Sequence, residues 1–263
     1  MDGILLVDKP KGKTSHDVVD AVRRDLKERG VGHAGTLDPL ATGLLVLGVG
    51  KATRVLEYMQ YDKTYEAEIE LGVLTETDDA DGPRIGERPV PSRSELEAAA
   101  APLVGDILQK PPRYSAVKVD GWKLYEYARK GRDVQAPDRR VRVDELTLVS
   151  YEPPRASFRI RGSKGLYIRS IARDLGGHVT ALRRTVCGPF RVDDAGPELL
   201  PMDVALMHLP EVRVSTEELH RFETGRSIDR PVEGIVRVYC GPRFVGIGEK
   251  GDSGLRPRKV LQT

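Results

Sequence analysis

Residues 32–45 read Gly-His-Ala-Gly-Thr-Leu-Asp-Pro-Leu-Ala-Thr-Gly-Leu-Leu, a glycine-rich turn that runs into the apolar strand Leu44 to Val49 with one acidic residue, Asp38, between them. A lone carboxylate in such a run is costly to desolvate, so folding alone gives little reason for it. Asp38 is therefore the first candidate for chemistry. The same Asp38-Pro39 pair also suits a plain turn, because Asp accepts local backbone hydrogen bonds and Pro39 fixes φ.

Upstream of this loop, Ile4 to Val7 reads as a short buried strand ended by Lys9-Pro10-Lys11-Gly12. Thr14 and Asp17 form a capping box, and Val18, Val22 and Leu26 share one face, which predicts a helix from Ser15 to Arg29 stopped by Gly30. Downstream, a short helix is expected near Thr53 to Met59, and the alternation of Tyr65 to Leu71 predicts a half-exposed strand. The acidic Gly/Pro stretch Asp78 to Pro91 reads as a loop, and Ser92-x-x-Glu95 opens an Ala-rich helix to about Ala101. Strands are expected at Tyr114 to Val119, Val141 to Ser150 and Ala156 to Arg161, with a helix around Leu124 to Lys130. In Tyr167 to Leu175, Ile168, Ile171, Ala172 and Leu175 make a helical stripe that leaves Arg169 and Arg173 on other faces. A boundary falls near Met202 to Val212. Beyond it, Ser215-x-x-Glu218 starts a helix, and strands at Gly234 to Cys240 and Arg243 to Ile247 flank a Cys240-Gly241-Pro242 turn. This tail is either a partly open barrel that helps bind nucleic acid or a stabilising cap.

The 263 residues, 39% hydrophobic, suffice for a sizeable core in one large domain with or without a small appendage. The longest apolar run, Gly43 to Gly50, is far short of the roughly 20 residues of a membrane helix, and no signal peptide opens the chain, so a cytoplasmic protein is expected. Cys187 and Cys240 have no CxxC spacing, which argues against a zinc site or disulfide scaffold. The net charge of +2 by itself argues for no partner. Its distribution says more: Arg161 to Arg191 holds seven basic residues against the single acid Asp174, a pattern that suits a polyanion or a solvated helix face.

Several motifs fail. Gly12-Lys13-Thr14 lacks the first glycine of a phosphate loop, since position 7 is valine, and Gly48-x-Gly50 lacks the third glycine of a dinucleotide fingerprint, since position 53 is threonine. Around Asp79-Ala80-Asp81-Gly82 a calcium loop would need ligands from Thr77 and Arg88. No spacing suits zinc, and no G-x-S-x-G elbow exists for acyl transfer.

Four segments remain: Lys9 to Ser15 (KPKGKTS), the Asp38 loop, Lys63-Thr64-Tyr65, and Ser163 to Arg169 (SKGLYIR). With Pro111 to Lys118 (PPRYSAVK) and Leu182-Arg183-Arg184, their order resembles the signature segments of the TruB family of pseudouridine synthases, over about Ile4 to Pro189. The resemblance implies an α+β fold with a mixed, largely antiparallel central sheet flanked by helices in residues 1–208, and a small β-rich PUA-like domain in residues 209–263. It implies an isomerase that converts the T-loop uridine (position 55) of tRNA to pseudouridine without cofactor or metal. Such an enzyme works as a monomer on the T-arm stem-loop with no obligatory protein partner. A guide-RNA-dependent relative and a non-catalytic RNA-binding or RNA-folding protein are the alternatives. The absence of a Lys/Arg-rich tail before Thr263 favours the first reading over the second, and retention of Asp38 and Arg169 favours it over the third.

Residue by residue, the resemblance makes Asp38 the essential aspartate and Arg169 its partner. Tyr65 stacks on the target base and Tyr167 lies beside the uracil edge. His33 fills the space of the extruded nucleotide, Leu182 walls the pocket and Asp79 is an acid of the second motif. Lys164, Arg183 and Lys118 complete the RNA-binding set. On residue type alone, Arg169 equally suits a phosphate contact, Tyr65 a packed strand and His33 a hydrogen-bonded turn. Leu166 and Cys187 depart from the family pattern without removing a catalytic group. The chemistry breaks C1′–N1, turns the uracil and joins C5 to C1′, with a carboxylate as nucleophile or as base on the sugar. An opposite charge at Arg169 is expected to lower the pKa of Asp38 and keep it ionised. Flipping the base costs a few kcal/mol, of which stacking on an aromatic ring returns about 1 to 3.

Overall fold

A computed structural model describes residues 1–132, 134 and 136–261. Strand β1 (Gly3–Lys9) leads to α1 (Ser15–Asp25), a short β2 (Val31–His33) and β3 (Thr42–Val49). Strand β4 (Lys63–Leu71) is followed by a hairpin of β5 (Val73–Thr75) and β6 (Arg84–Glu87), then α2 (Arg93–Ala100) and β7 (Gly105–Gln109). A second hairpin, β8 (Lys118–Val119) with β9 (Trp122–Lys123), opens α3 (Leu124–Arg129), and β10 (Arg139–Glu152), β11 (Arg155–Gly162), α4 (Ile168–Asp174) and β12 (Gly177–Cys187) follow. The short β13 (Phe190–Arg191), β14 (Leu199–Leu200) and β15 (Glu211–Arg213) precede α5 (Thr216–Glu223), β16 (Ile235–Cys240), β17 (Arg243–Gly251) and β18 (Gly254–Val260).

The large sheet runs β14-β1-β3-β12-β4-β11-β10-β7, with β2 added on β3 and β13 on β12. Among the described residues only the β3–β12 junction of this sheet is parallel, so the sheet is mixed and largely antiparallel. In β3, Leu45, Leu47 and Val49 face a core that includes Val18, Val19 and Val22 of α1 and Ile171 of α4, while Leu44 and Val46 face a second core. A strand covered on both sides has no polar alternation, which is why residues 44–49 read as an unbroken apolar run. The second core takes in Tyr239, Phe244, Ile247 and Leu261, so the four-stranded sheet β15-β16-β17-β18 packs behind β1 and β3. Among the described residues no helix is long and apolar enough to cross a membrane.

Several expected elements are revised. Helix α1 stops at Asp25 rather than Arg29 because Lys27 adopts the left-handed region at φ 51°, and Lys27 and Glu28 donate their N–H groups to Arg24 and Arg23. That pattern is a Schellman cap without its usual glycine. The acidic stretch expected as a loop contains β6, paired back on β5. Of residues 114–119 only Lys118–Val119 is a strand. Strand β12, in the middle of the sheet, was not expected at all.

At the parallel junction Gly43 lies opposite Arg184 with φ 98°, and a Cβ there would sit 2.3 Å from the Arg184 carbonyl oxygen. Gly43→Ala is expected to lower the unfolding free energy by at least about 3 kcal/mol, the upper end of ordinary single substitutions. Urea denaturation checks this, and a variant as stable as the parent would mean that the junction yields.

Candidate active site

The Asp38 loop is held by the segment that precedes it. Ser15, buried in the first turn of α1, donates its hydroxyl to the Leu37 carbonyl at 3.0 Å and accepts the Leu37 N–H at 2.8 Å. Lys9, fully buried at the end of β1, donates Nζ to the carbonyls of Pro10 (3.0 Å), Lys13 (2.6 Å) and Pro39 (3.5 Å). The Gly12 N–H reaches the Pro39 carbonyl at 2.7 Å, and the Ala41 N–H closes a turn on the Asp38 carbonyl at 3.1 Å. Asp38-Pro39 thus forms the turn that its residue types suit.

Helix α4 brings Arg169 to this turn from the other side. Its Nε lies 2.9 Å from Asp38 Oδ2, outside the angle of a good hydrogen bond, so the contact is an ion pair. Nη1 donates to the Thr77 carbonyl and Nη2 to the Tyr114 carbonyl, both at 2.8 Å, and Asp79 Oδ2 stands 3.6 Å from Nη1. Asp79 is buried and held in turn by the Thr77 hydroxyl and the Asp81 N–H. Arg169 is buried, whereas the Asp38 side chain keeps 36% of its surface open.

That open surface faces a cavity of about 240 Å³, below the range of roughly 300 to 1,000 Å³ usual for drug-sized ligands and so fitting one small ring system. Of the residues singled out in the sequence, Asp38, Tyr65, Lys164, Tyr167, Arg169 and Leu182 line it together. Tyr65 is buried, one side in the core and the other on the cavity. The Lys164 ammonium donates to the Met59 carbonyl at 3.2 Å. Asp79 sits behind Arg169. His33 lies outside the lining, its Nδ1 accepting the Gly35 N–H at 3.4 Å. Burial, helped by Arg184, lowers the His33 pKa and keeps the ring neutral. Arg183 is off the cavity, forked onto Asp8 at 3.0 and 2.7 Å, and Lys118 is exposed on the β8–β9 hairpin.

The field in the cavity differs from expectation. Burial pushes the Asp38 carboxyl above its ordinary value, Arg169 pulls it back and Asp79 adds to the rise, so the net direction is upward rather than downward. Burial likewise lowers the pKa of Lys9 and Lys63. The basic stretch 161–191 is partly turned inward: Arg169, Arg173 and Arg183 pair with acids. Arg184, also buried, donates to the Leu44 (2.7 Å) and Gly35 (3.1 Å) carbonyls.

Sequence reasoning missed Lys9, Ser15, Lys63 and Arg184 as site residues, although all stand in quoted segments. For Ser15 and Arg184 no local signal existed, since their partners Leu37, Leu44 and Gly35 lie far along the chain. Among the described residues no group of three or more His, Cys, Asp or Glu could hold a metal ion. A carboxylate, two phenols and buried cations around a ring-sized space can bind a flat polar ring, attack or deprotonate a group attached to it, and steady charge that develops there.

Residues 23–168 match the model described as TruB family pseudouridylate synthase (N terminal domain), and residues 210–261 match that of pseudouridine synthase II TruB, C-terminal. The chain is 40% identical over 287 aligned positions to tRNA pseudouridine synthase B of Azoarcus sp. (strain BH72), covering 100% of this chain and 96% of that one. To the protein of the same name from Opitutus terrae it is 47% identical over 222 positions, covering 81% and 90%. A chain in the crystal structure of a Cbf5-Nop10-Gar1 complex superposes with a TM-score of 0.73 at 25% identity, covering 98% of this chain and 84% of that one.

Proposed function

We propose that this chain, which belongs to the TruB family of pseudouridylate synthases, is an isomerase that converts uridine in tRNA to pseudouridine, with the T-loop uridine at position 55 as its target. The observation that carries the reading is the ion pair of Asp38 with Arg169 at the edge of a ring-sized cavity bounded by Tyr65 and Tyr167.

The extruded uridine enters with its ring against Tyr65 and its edge toward Tyr167 and Leu182. Asp38 acts on the sugar as nucleophile or base while C1′–N1 breaks, and the detached uracil turns in the closed space before C5 bonds to C1′; C5 then gives up its proton and N1 gains one, so the product is an isomer of the substrate. No redox cofactor is called for, because the reaction neither oxidises nor reduces the nucleoside. Arg169 steers the carboxylate, and Asp79 with the Thr77 and Tyr114 carbonyls steers Arg169. Residues 1–208 form the catalytic unit, and 209–263 a PUA-like unit packed behind it. Lys164 contacts an RNA phosphate, Arg183 and Lys118 add to the RNA-binding surface, and His33 fills the space left by the extruded nucleotide.

The test is incubation of the purified protein alone with an unmodified tRNA transcript, followed by mapping of pseudouridine. Product at the T-loop uridine supports the reading; none overturns it, and product only with added guide RNA or partner protein would select the guide-dependent alternative. Tyr65 offers a second check. Tyr65→Phe keeps the ring and is expected to retain kcat/KM within about threefold, whereas Tyr65→Leu falls about 10- to 100-fold, from the 1 to 3 kcal/mol of base stacking. Equal kinetics of the two variants would remove the ring from the mechanism.

A further inference from the structure

Gln109 ends β7 at the edge of the large sheet, with its side chain turned inward and only 1% of its surface exposed. Its amide grips one residue twice: Oε1 accepts the Tyr167 N–H at 2.8 Å, and Nε2 donates to the Tyr167 carbonyl at 3.1 Å. A buried primary amide that uses both ends on the N–H and C=O of one distant residue copies a strand pairing without a strand. Tyr167 is the residue before α4, extended at φ −105° and ψ 111°, and no side chain caps the helix there. The first turn of α4 therefore depends on outside support for its direction. The same stretch supplies more of it: the Lys110 carbonyl accepts from Ser170 Oγ at 2.8 Å and Arg173 Nη2 at 2.9 Å, and the Tyr114 carbonyl from Arg169. Of the two lining residues held by this stretch, Arg169 is held by the Tyr114 carbonyl and Tyr167 by the Gln109 side chain.

We infer that Gln109 is a positioning residue for catalysis, fixing the Tyr167 ring and the approach of Arg169 to Asp38. The inference rests on the reading of this cavity as the uridine site. Tyr167 and Arg169 are separated by one residue, so rotation of the Tyr167 peptide moves the phenol in the cavity and tilts the helix turn that carries the guanidinium. A misplacement of about 1 Å in such a group can reduce turnover on the order of 100-fold without loosening ground-state binding equally.

The test compares Gln109→Met, which keeps the length and loses both hydrogen bonds, with Gln109→Glu, which accepts the Tyr167 N–H but sets a carboxylate against the Tyr167 carbonyl when ionised. A protonated carboxyl restores both bonds, since its O–H donates where Nε2 did. Burial and the Tyr167 carbonyl raise the pKa of the new carboxyl. Arg139 lies opposite on β10 and Lys110 is next in the chain; Arg139, Arg169 and Asp38 act on the Tyr167 phenol that Gln109 supports, and Arg173 follows on α4. The three arginines and Lys110 hold the carboxyl down, and Asp38 raises it further.

For Gln109→Met, kcat on the tRNA transcript is expected to fall about 10- to 100-fold with KM within about threefold. Gln109→Glu is expected to match the Met variant near pH 8.5 and, relative to wild type at the same pH, to recover at least about fivefold near pH 6. Thermal melts at both pH values confirm that each variant is folded during the assay. An unchanged kcat in Gln109→Met, a loss that follows only KM or only the folded fraction, or a pH-independent ratio in Gln109→Glu would each overturn the inference. Asp38→Ala separates this from the functional reading: if it retains activity the uridine site itself is wrong, whereas a dead Asp38→Ala beside a fully active Gln109→Met removes only the role of Gln109.

Discussion

Asp38→Asn is expected to abolish pseudouridine formation while leaving the fold at least as stable as before. Both halves follow from the environment of the carboxyl. Burial raises its pKa above the ordinary value of 3.8, Arg169 offsets part of the rise and Asp79 adds to it. For an acid whose folded pKa is raised, the folded state prefers the protonated form. Its favourable contribution is present below the unfolded pKa and is lost as pH rises through the folded one. At neutral pH the ionised carboxylate therefore weakens the fold, and a neutral amide of the same shape relieves that weakness. Thermal melts at pH 7 should show the Asn variant level with or above wild type. The size of the kinetic loss separates the two roles. Loss of a general base is worth about 10²- to 10⁴-fold, whereas loss of a nucleophile in a concerted set reaches about 10⁶-fold. Single-turnover assays with excess enzyme can read both ranges, and a variant within tenfold of wild type would deny Asp38 either role.

A carboxylate without an evident local role is easier to see in sequence than a polar group satisfied from far along the chain. Asp38 stood out because nothing nearby explained a carboxylate there, whereas the period-two pattern of β4 marked Tyr65 only as a strand residue, and its place beside Asp38 came from the family resemblance. Strand β12 was hidden for the opposite reason. It places His178 and Arg184 at buried positions, so the alternation that reveals β4 is broken by polar side chains that donate to or share a hydrogen bond with distant carbonyls, Val73 for His178 and Leu44 and Gly35 for Arg184. Gln109 escaped notice because the peptide it grips lies 58 residues on. The end of α1 was misread because Lys27 takes a backbone region that the sequence rule reserves for glycine. In each case a local pattern fails where a long-range hydrogen bond or an unusual backbone angle supplies what the pattern lacks.

Arg169→Met is expected to displace the pH dependence of turnover, not merely lower it. Removing the guanidinium leaves the Thr77 and Tyr114 carbonyls without their donors and the Asp38 and Asp79 carboxylates without the cation between them. Breaking one side of a buried charge set usually costs about 3 to 5 kcal/mol of stability, so assays are run where melts show the variant folded. The pull that held the Asp38 pKa down disappears, while burial and the push from Asp79 remain. If turnover needs an ionised Asp38, activity is lost as pH falls through that pKa, and in Arg169→Met this acid limb moves to higher pH, with partial recovery toward about pH 9. Arg169→Lys keeps a charge but cannot span Asp38, Thr77 and Tyr114 at once, so its limb should stay near that of wild type under a lower plateau. Adding Asp79→Asn to Arg169→Met removes the repelling neighbour and should bring the limb part of the way back. An acid limb in Arg169→Met that coincides with the wild-type one would show that Arg169 does not set the protonation of Asp38, and its contribution would then lie in holding the loop 77–79 and the Tyr114 peptide in place.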